Sequence, residues 1–197
     1  MLAEHLVYTT AIAVIAGMLS FRYTGRDCSW IVILVSYAPD LDKILDPVLN
    51  GIGFTVLFEG HAIHHGTFHT VAAMIVFCVF MAFLLNPIGI RFTDAFLFTL
   101  VGFGAHLFED ALVYSANYMY LWPFSHDKLG LAWLPVNGSE ESYNADFFHL
   151  ANTEVLLIGL LLLLLAMLVR TRVEGSGWIR WYMPESVYRN FFCRTPS

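Results

Sequence analysis

The chain is poor in charge. Only 13% of its 197 residues are Asp, Glu, Lys or Arg, against 58% hydrophobic, and its mean hydropathy is +0.65. A soluble domain carries about 25% charged residues, so that class is excluded and a membrane is implied. Positive charge is scarcest: 10 Lys and Arg stand against 16 Asp and Glu, and no nucleic-acid partner is expected of so acidic a chain. Cysteine is nearly missing as well. Cys28, Cys78 and Cys193 are scattered, odd in number and without CxxC spacing, which suggests neither a disulfide framework nor a thiolate metal site. A basic start is also lacking. Glu4 and His5 stand where a cleaved signal peptide would carry Lys or Arg, so the first apolar segment is expected to be a retained helix.

Long apolar runs take the place of the missing charge. "TEVLLIGLLLLLLAMLVR" (153–170), "HTVAAMIVFCVFMAFLLN" (69–86), "HLVYTTAIAVIAGMLSF" (5–21) and "FTDAFLFTLVGFGAHLFEDALVY" (92–114) each suit a bilayer core of ~30 Å, which takes about 20 helical residues. The weakest run, "WIVILVSYA" (30–38), stops at Pro39. The expectation is an all-α polytopic bundle of about five transmembrane helices. Residues 1–170 are read as the membrane domain. Residues 115–152 mix Trp, Tyr and Phe with Gly, Pro and Asn, as in a folded interfacial loop able to act as a lid. Residues 171–197 carry Trp178, Trp181, Tyr182, Phe191 and Phe192 among arginines, a composition suited to a tail along the cytoplasmic interface.

Threading five spans with the N-terminus outside sorts the charge. Arg22, Arg26, Arg91, Arg170, Arg172, Arg180, Arg189 and Arg194 fall on one side and only Lys43 and Lys128 on the other. Basic residues flanking spans stay in the cytoplasm. The opposite face then gathers His5, Asp40, Asp42, the stretch "GHAIHHGTFHT" (60–70), His106, Asp110 and Glu154. An extracytoplasmic site in the outer leaflet is predicted, with the C-terminus cytoplasmic.

Ionisable groups in a bilayer are costly and have a partner or a purpose. Asp40 and Asp42 in "PDLD" cannot both stay charged in a poorly solvated setting without a cation, and a divalent metal supplies one. "HLFED" places His106 and Asp110 four apart, on one face of a helix; alone, such a pair is better read as a self-satisfied hydrogen bond. Four histidines in nine residues, His61, His64, His65 and His69, are more specific, because imidazole must find partners for both nitrogens. A solvated loop is the bland account of His61 and His65. Thr67 is expected to cap the helix carrying His69. Imidazole and carboxylate without thiolate suit Zn, Mn or Fe, and more than four candidate ligands make two or more ions plausible. Such centres activate water against phosphoesters. Glu109 should point about 100° away from Asp110 and is read as a capped polar contact or a ligand of a second ion. Glu154 is read as a ligand, a general base or a plain helix-start acid. Ser125 is read as a substrate contact or a turn residue, and His126 and His149 as ordinary surface histidines.

These pieces in this order resemble the YdjM-type family of membrane-bound metal-dependent hydrolases, over nearly the whole stretch from His5 to Glu154. The matches are His5, "PDLD" (39–42), "HHGTFHT" (64–70), "HLFED" (106–110) and "PFS" (123–125). The resemblance implies His5, Asp40, Asp42, His64, His69, His106 and Asp110 as metal ligands. His65 stands where the family has arginine, Phe68 where it has threonine, and Thr70 where it has serine. The anion-gripping arginine is thereby lost, with protonated His65 as its substitute. The pattern is similar, more distantly, to the helical zinc phospholipase C and single-strand nuclease group. The expected function is metal-dependent cleavage of a lipid or lipid-linked phosphoester, with Glu154 or His65 moving protons. A metal transporter or non-hydrolytic metal-binding protein is the alternative; it would need polar groups continuing through the inner halves of the spans, which are nearly devoid of them. A closed structural metal would need fewer ligands.

Overall fold

A computed structural model of the chain describes residues 2–55, 57–58, 61–62, 66–113, 118–133 and 153–182. Its helices are α1 (Leu2–Thr24), α2 (Trp30–Leu34), α3 (Asp42–Gly51), α4 (Val71–Leu85), α5 (Phe92–Val113) and α6 (Thr153–Glu174). Four stretches are long and apolar enough to cross a membrane: Ala3–Thr24, Val71–Ile88, Phe92–Val113 and Thr153–Glu174. They coincide with the four long apolar runs, because no water competes for backbone groups inside a bilayer and a helix satisfies them all internally. The bundle is an all-α membrane fold. Its one strand pairing among the described residues is a two-rung antiparallel ladder, Leu57–Phe58 with His61–Ala62.

α5 is the hub. Its span is 56% buried, against 22% for those of α4 and α6, and α1, α2 and α4 all pack on it. α6 lies along α1, where Gly159 meets Val7 and Tyr8.

The second crossing departs from expectation. α2 holds 5 residues and gives way to turns and a short 3-10 helix, Pro39–Leu41. The chain still passes from one end of the bundle to the level of the other cluster. Arg26 Nε donates to Asp94 Oδ2 in the first turn of α5 at 2.5 Å, while the Ser36 carbonyl meets His106 Nδ1 at 2.7 Å. From Asp94 to His106 the helix rises about 18 Å. A short element suffices because Ile31, Val32 and Val35 are buried against protein, where irregular backbone is tolerated. Gly102 makes this approach feasible: a Cβ there would fall 2.5 Å from Val35 Cγ2 and 2.6 Å from the Val32 carbonyl.

The arginine end is closed by buried polar contacts. Arg170 donates to Asp27 Oδ2 at 2.5 Å, to the Val14 carbonyl at 3.1 Å and to the Tyr182 hydroxyl at 3.1 Å. Ser29 Oγ also bonds the Tyr182 hydroxyl, and the Trp178 ring centre lies 4.8 Å from the guanidinium carbon. Together these hold the 3-10 helix Ser176–Tyr182 against α1 and α6. Cys28 lies in this region and is disulfide-bonded, where the spacing of the cysteines suggested no disulfide; Cys78 is a buried free thiol.

At the opposite end, Tyr118–Trp133, the described part of the expected lid, is strapped down by backbone bonds. The Val71 N–H donates to the Tyr120 carbonyl at 2.8 Å, Leu131 to Ala111 at 2.6 Å and Trp133 to Leu112 at 2.8 Å.

Candidate metal centre

The five side chains of the centre arrive on four local devices. His5 lies in the first turns of α1, and His106 and Asp110 sit one turn apart on α5. Asp40 is carried by the 3-10 turn that Pro39 opens. His69 lies in the turn immediately before α4. Thr67 was expected to cap that helix, but Thr70 does so, its Oγ1 accepting from the Ala73 N–H at 3.0 Å. Thr70 has the extended backbone that a cap requires. Thr67 lies a turn too early, and His69 therefore precedes the helix.

These five side chains are buried and meet. Ligand atoms of His5, Asp40 and His106 lie within 4.8 Å of one another, and so do those of His69, His106 and Asp110. His69 Nε2 is 3.3 Å from His106 Nε2, 3.2 Å from Asp110 Oδ2 and 3.8 Å from Asp40 Oδ1. His106 Nε2 is 3.6 Å from Asp110 Oδ2, and His5 Nε2 is 3.8 Å from Asp110 Oδ1. Two donors bound to one ion at about 2.1 Å in tetrahedral array stand ~3.4 Å apart. The observed spacings bracket that value, so the donor set fits a divalent ion. His5 Nε2 and Asp110 Oδ1 are buried without a hydrogen-bond partner, a condition buried polar atoms seldom tolerate.

The far side of the His106 and His5 rings is held by oxygen. His106 Nδ1 meets the Ser36 carbonyl at 2.7 Å; a carbonyl only accepts, so the proton sits on Nδ1 and the Nε2 lone pair faces the cluster. His5 Nδ1 lies 2.8 Å from Glu109 Oε2. His69 Nδ1 is 3.7 Å from Asp42 Oδ2, which accepts the N–H groups of Gly66 at 2.9 Å and Phe68 at 3.3 Å. Oxygen partners of this kind fix the tautomer and aim of metal-binding histidines. The rings themselves pack: His5 stacks on His106 at 4.2 Å and Tyr118 on His69 at 4.3 Å. Gly66 permits the Tyr118 contact. Its φ is +103°, and a Cβ would lie 2.9 Å from the ring.

Asp40 is further joined by Lys43, whose Nζ is 3.1 Å from Oδ1. Burial lifts the Asp40 carboxyl, but His106, Lys43, His5 and His69 outweigh it and hold the group below its ordinary value. It is ionised at neutral pH.

Among the other residues singled out by sequence, Asp42 faces the turn and the back of His69. Glu154 is half-buried in the first turn of α6, and the packing of Gly159 on Val7 and Tyr8 puts it above the level of His5. Ser125 takes the turn role, donating to Asp127 Oδ2 at 2.8 Å and accepting its N–H at 3.0 Å. His126 is exposed. His64, His65 and His149 lie outside the described residues, as does the side chain of His61. Sequence reasoning missed Lys43, the Ser36 carbonyl and Tyr118, and left Glu109 undecided. A signal for Glu109 existed: His106, Glu109 and Asp110 follow the i, i+3, i+4 spacing of one helix face.

Residues 1–178 match a family model described as YdjM inner membrane protein. No curated protein and no solved structure matches the chain.

Proposed function

The chain belongs to the YdjM inner membrane protein family, and on that premise we propose that it is a metal-dependent hydrolase embedded in the membrane, cleaving a phosphoester of a lipid or lipid-linked molecule. One observation carries the reading: the His106 and His5 rings are braced at Nδ1 by oxygen and present Nε2, with that of His69, to buried Asp40 and Asp110. A divalent ion of the Zn, Mn or Fe type held there would supply Lewis acidity toward water and phosphoryl oxygens; the two donor groups share His106, whose Nε2 serves one ion, so a second ion would rest on the remaining carboxylate and imidazole donors. Asp40 and Asp110 neutralise the charge, while Glu109 and Asp42 aim His5 and His69. His64 joins the ligands on the family resemblance. Tyr118 covers the cluster against bulk water. Glu154 and His65 are the candidates for proton transfer.

The packing supports a one-sided site over a transport path. Away from the cluster the interior between α1, α2 and α5 is mainly apolar, with Ile31, Val32, Ala95, Phe98 and Phe103 and only the hydroxyls of Thr9 and Thr99 buried among the described residues of α1 and α5 there, and a conducted ion would need a continuous set of polar ligands. The excess of arginines at the far end supports a cytoplasmic placement of that end. Labelling of single cysteines introduced near Arg91 in intact cells tests that orientation.

The reading is tested by stripping the purified protein with chelator, restoring Zn, Mn or Fe, and assaying soluble aryl phosphates and phospholipids. Turnover that returns with metal and is absent in Asp40→Ala supports it. Metal uptake into protein-loaded vesicles without turnover overturns it.

A further inference from the structure

Beside the metal centre, α3 and α4 enclose a cavity of about 790 Å³. Its walls are hydrocarbon: Leu41, Ile44 and Val48 of the α3 side face Ala73, Val76 and Phe80 of α4. Polar side chains among its lining are Thr67 and Thr70, which flank His69 in the chain, and Trp122. The other wall is tied to the centre in the same way, since Ala38 and Leu41 line the cavity and bracket Asp40. From Thr70 to Phe80 the cavity follows about 15 Å of helix, half of a ~30 Å hydrocarbon core and so the depth of one leaflet. Leu41, Ile44, Val48, Val76 and Phe80 are exposed. In a bilayer an apolar concavity of that depth takes up hydrocarbon, because water would find no hydrogen-bond partners there.

Positive charge lies next to the α3 wall in the chain, and against Asp40, which the cavity residues Ala38 and Leu41 bracket. Lys43 projects from the same helix as Ile44 and Val48, retains 23% exposure and touches Asp40. It is the cation paired with a cluster carboxylate among the described residues.

We propose that this cavity holds one hydrocarbon chain of an anionic phosphate amphiphile, with the phosphate at Lys43 beside the metal centre. The assignment rests on the hydrolase reading for its chemistry and names the substrate class: a phosphate carried on a long acyl or polyprenyl-like chain, drawn laterally from the leaflet.

The test uses a single-chain glycerophosphate lipid bearing a photoactivatable diazirine midway along its chain, incubated with the full-length protein in detergent. Cross-links should map to α3 and α4, around Val48 and Val76. Dodecyl phosphate should compete about tenfold better than the neutral dodecyl maltoside, and Lys43→Gln should abolish that difference. Val48→Trp should block labelling, whereas Leu161→Trp, on the exposed face of α6, should retain it. If Val48→Trp does not fold, Val76→Trp closes the cavity from the other wall. Labelling spread evenly over α6, or equal competition by both amphiphiles, overturns the proposal. Specific labelling with no metal-dependent turnover of the same lipid overturns the hydrolase reading and leaves the chain subsite standing. Metal-dependent turnover of aryl phosphate without α3 and α4 labelling does the reverse.

Discussion

The bundle buries charge at both ends, in two different ways. At the arginine end the partners touch: Arg170 and Asp27 are in contact at 2.5 Å, and the same guanidinium reaches the Val14 carbonyl and the Tyr182 hydroxyl. At the histidine end the Nε2 atoms and carboxylate oxygens stand 3.2 to 3.8 Å apart, mostly too far for direct bonds, while His5 and His106 pair closely through the Nδ1 atoms behind and Lys43 pairs with Asp40 at the edge. A buried ion pair in contact is a staple. A set of buried donors converging without contact is a receptor.

Substituting both ends should separate these roles. Asp110→Ala should lower metal-dependent turnover by about 1,000-fold, or ~4 kcal/mol of barrier, and remove bound metal measured by mass spectrometry. Arg170→Ala should do the converse. It leaves Asp27 buried and uncompensated, a change worth about 3 to 5 kcal/mol of stability, while metal content per folded molecule persists. Loss of metal in Arg170→Ala would join the two ends into one system and break the comparison.

A smaller effect follows from protons competing with ions. Burial pushes the His69 imidazole down, but Asp110, Asp42 and Asp40 outweigh it and hold it at about 9, above the ordinary 6.5. In the ion-free protein its contribution to stability is therefore complete below pH 6.5 and lost as the pH rises through 9. Metal binding needs the neutral ring, so stabilisation by an added ion should grow over that interval. At a hundredfold excess over Kd the ion should add about 2.7 kcal/mol, read as the difference in unfolding midpoint with and without metal. A metal increment that falls as pH rises would remove His69 from the ligand set.

How much of this was legible follows the same physics. The four long crossings were plain because lipid-facing helices must be continuously apolar, and "HLFED" was plain because helical spacing fixes which residues share a face. The second crossing was not. Ile31, Val32 and Val35 face protein, so the length rule for lipid does not apply to them. Among the site's supports, the Ser36 carbonyl leaves no mark in a sequence, since every residue has one. Thr67 and Thr70 are both competent caps, and only the fold chooses between them. Lys43 read as a stray charge on the wrong side of the membrane until Asp40 and the apolar wall of α3 gave it a setting.

Glu109 lies between receptor and staple, for it touches a histidine directly yet acts on the ion only through it. Glu109→Ala should weaken metal affinity about 10- to 100-fold, the range for groups that orient a metal-binding histidine. Glu109→Gln should recover part of that loss, because an amide oxygen still accepts from Nδ1. Were Glu109 itself a ligand, the two variants would lose metal equally.

Ser125 should mark the lower limit. Its hydroxyl bonds only Asp127 among the described residues, in a turn well served by any polar residue. Ser125→Ala should therefore shift stability by less than about 0.5 kcal/mol and leave metal content unchanged. Should it instead depress turnover on a phosphate lipid while stability holds, the strap from Tyr118 to Trp133 would join the substrate-binding surface, and the receptor would extend beyond the histidines and carboxylates that define it.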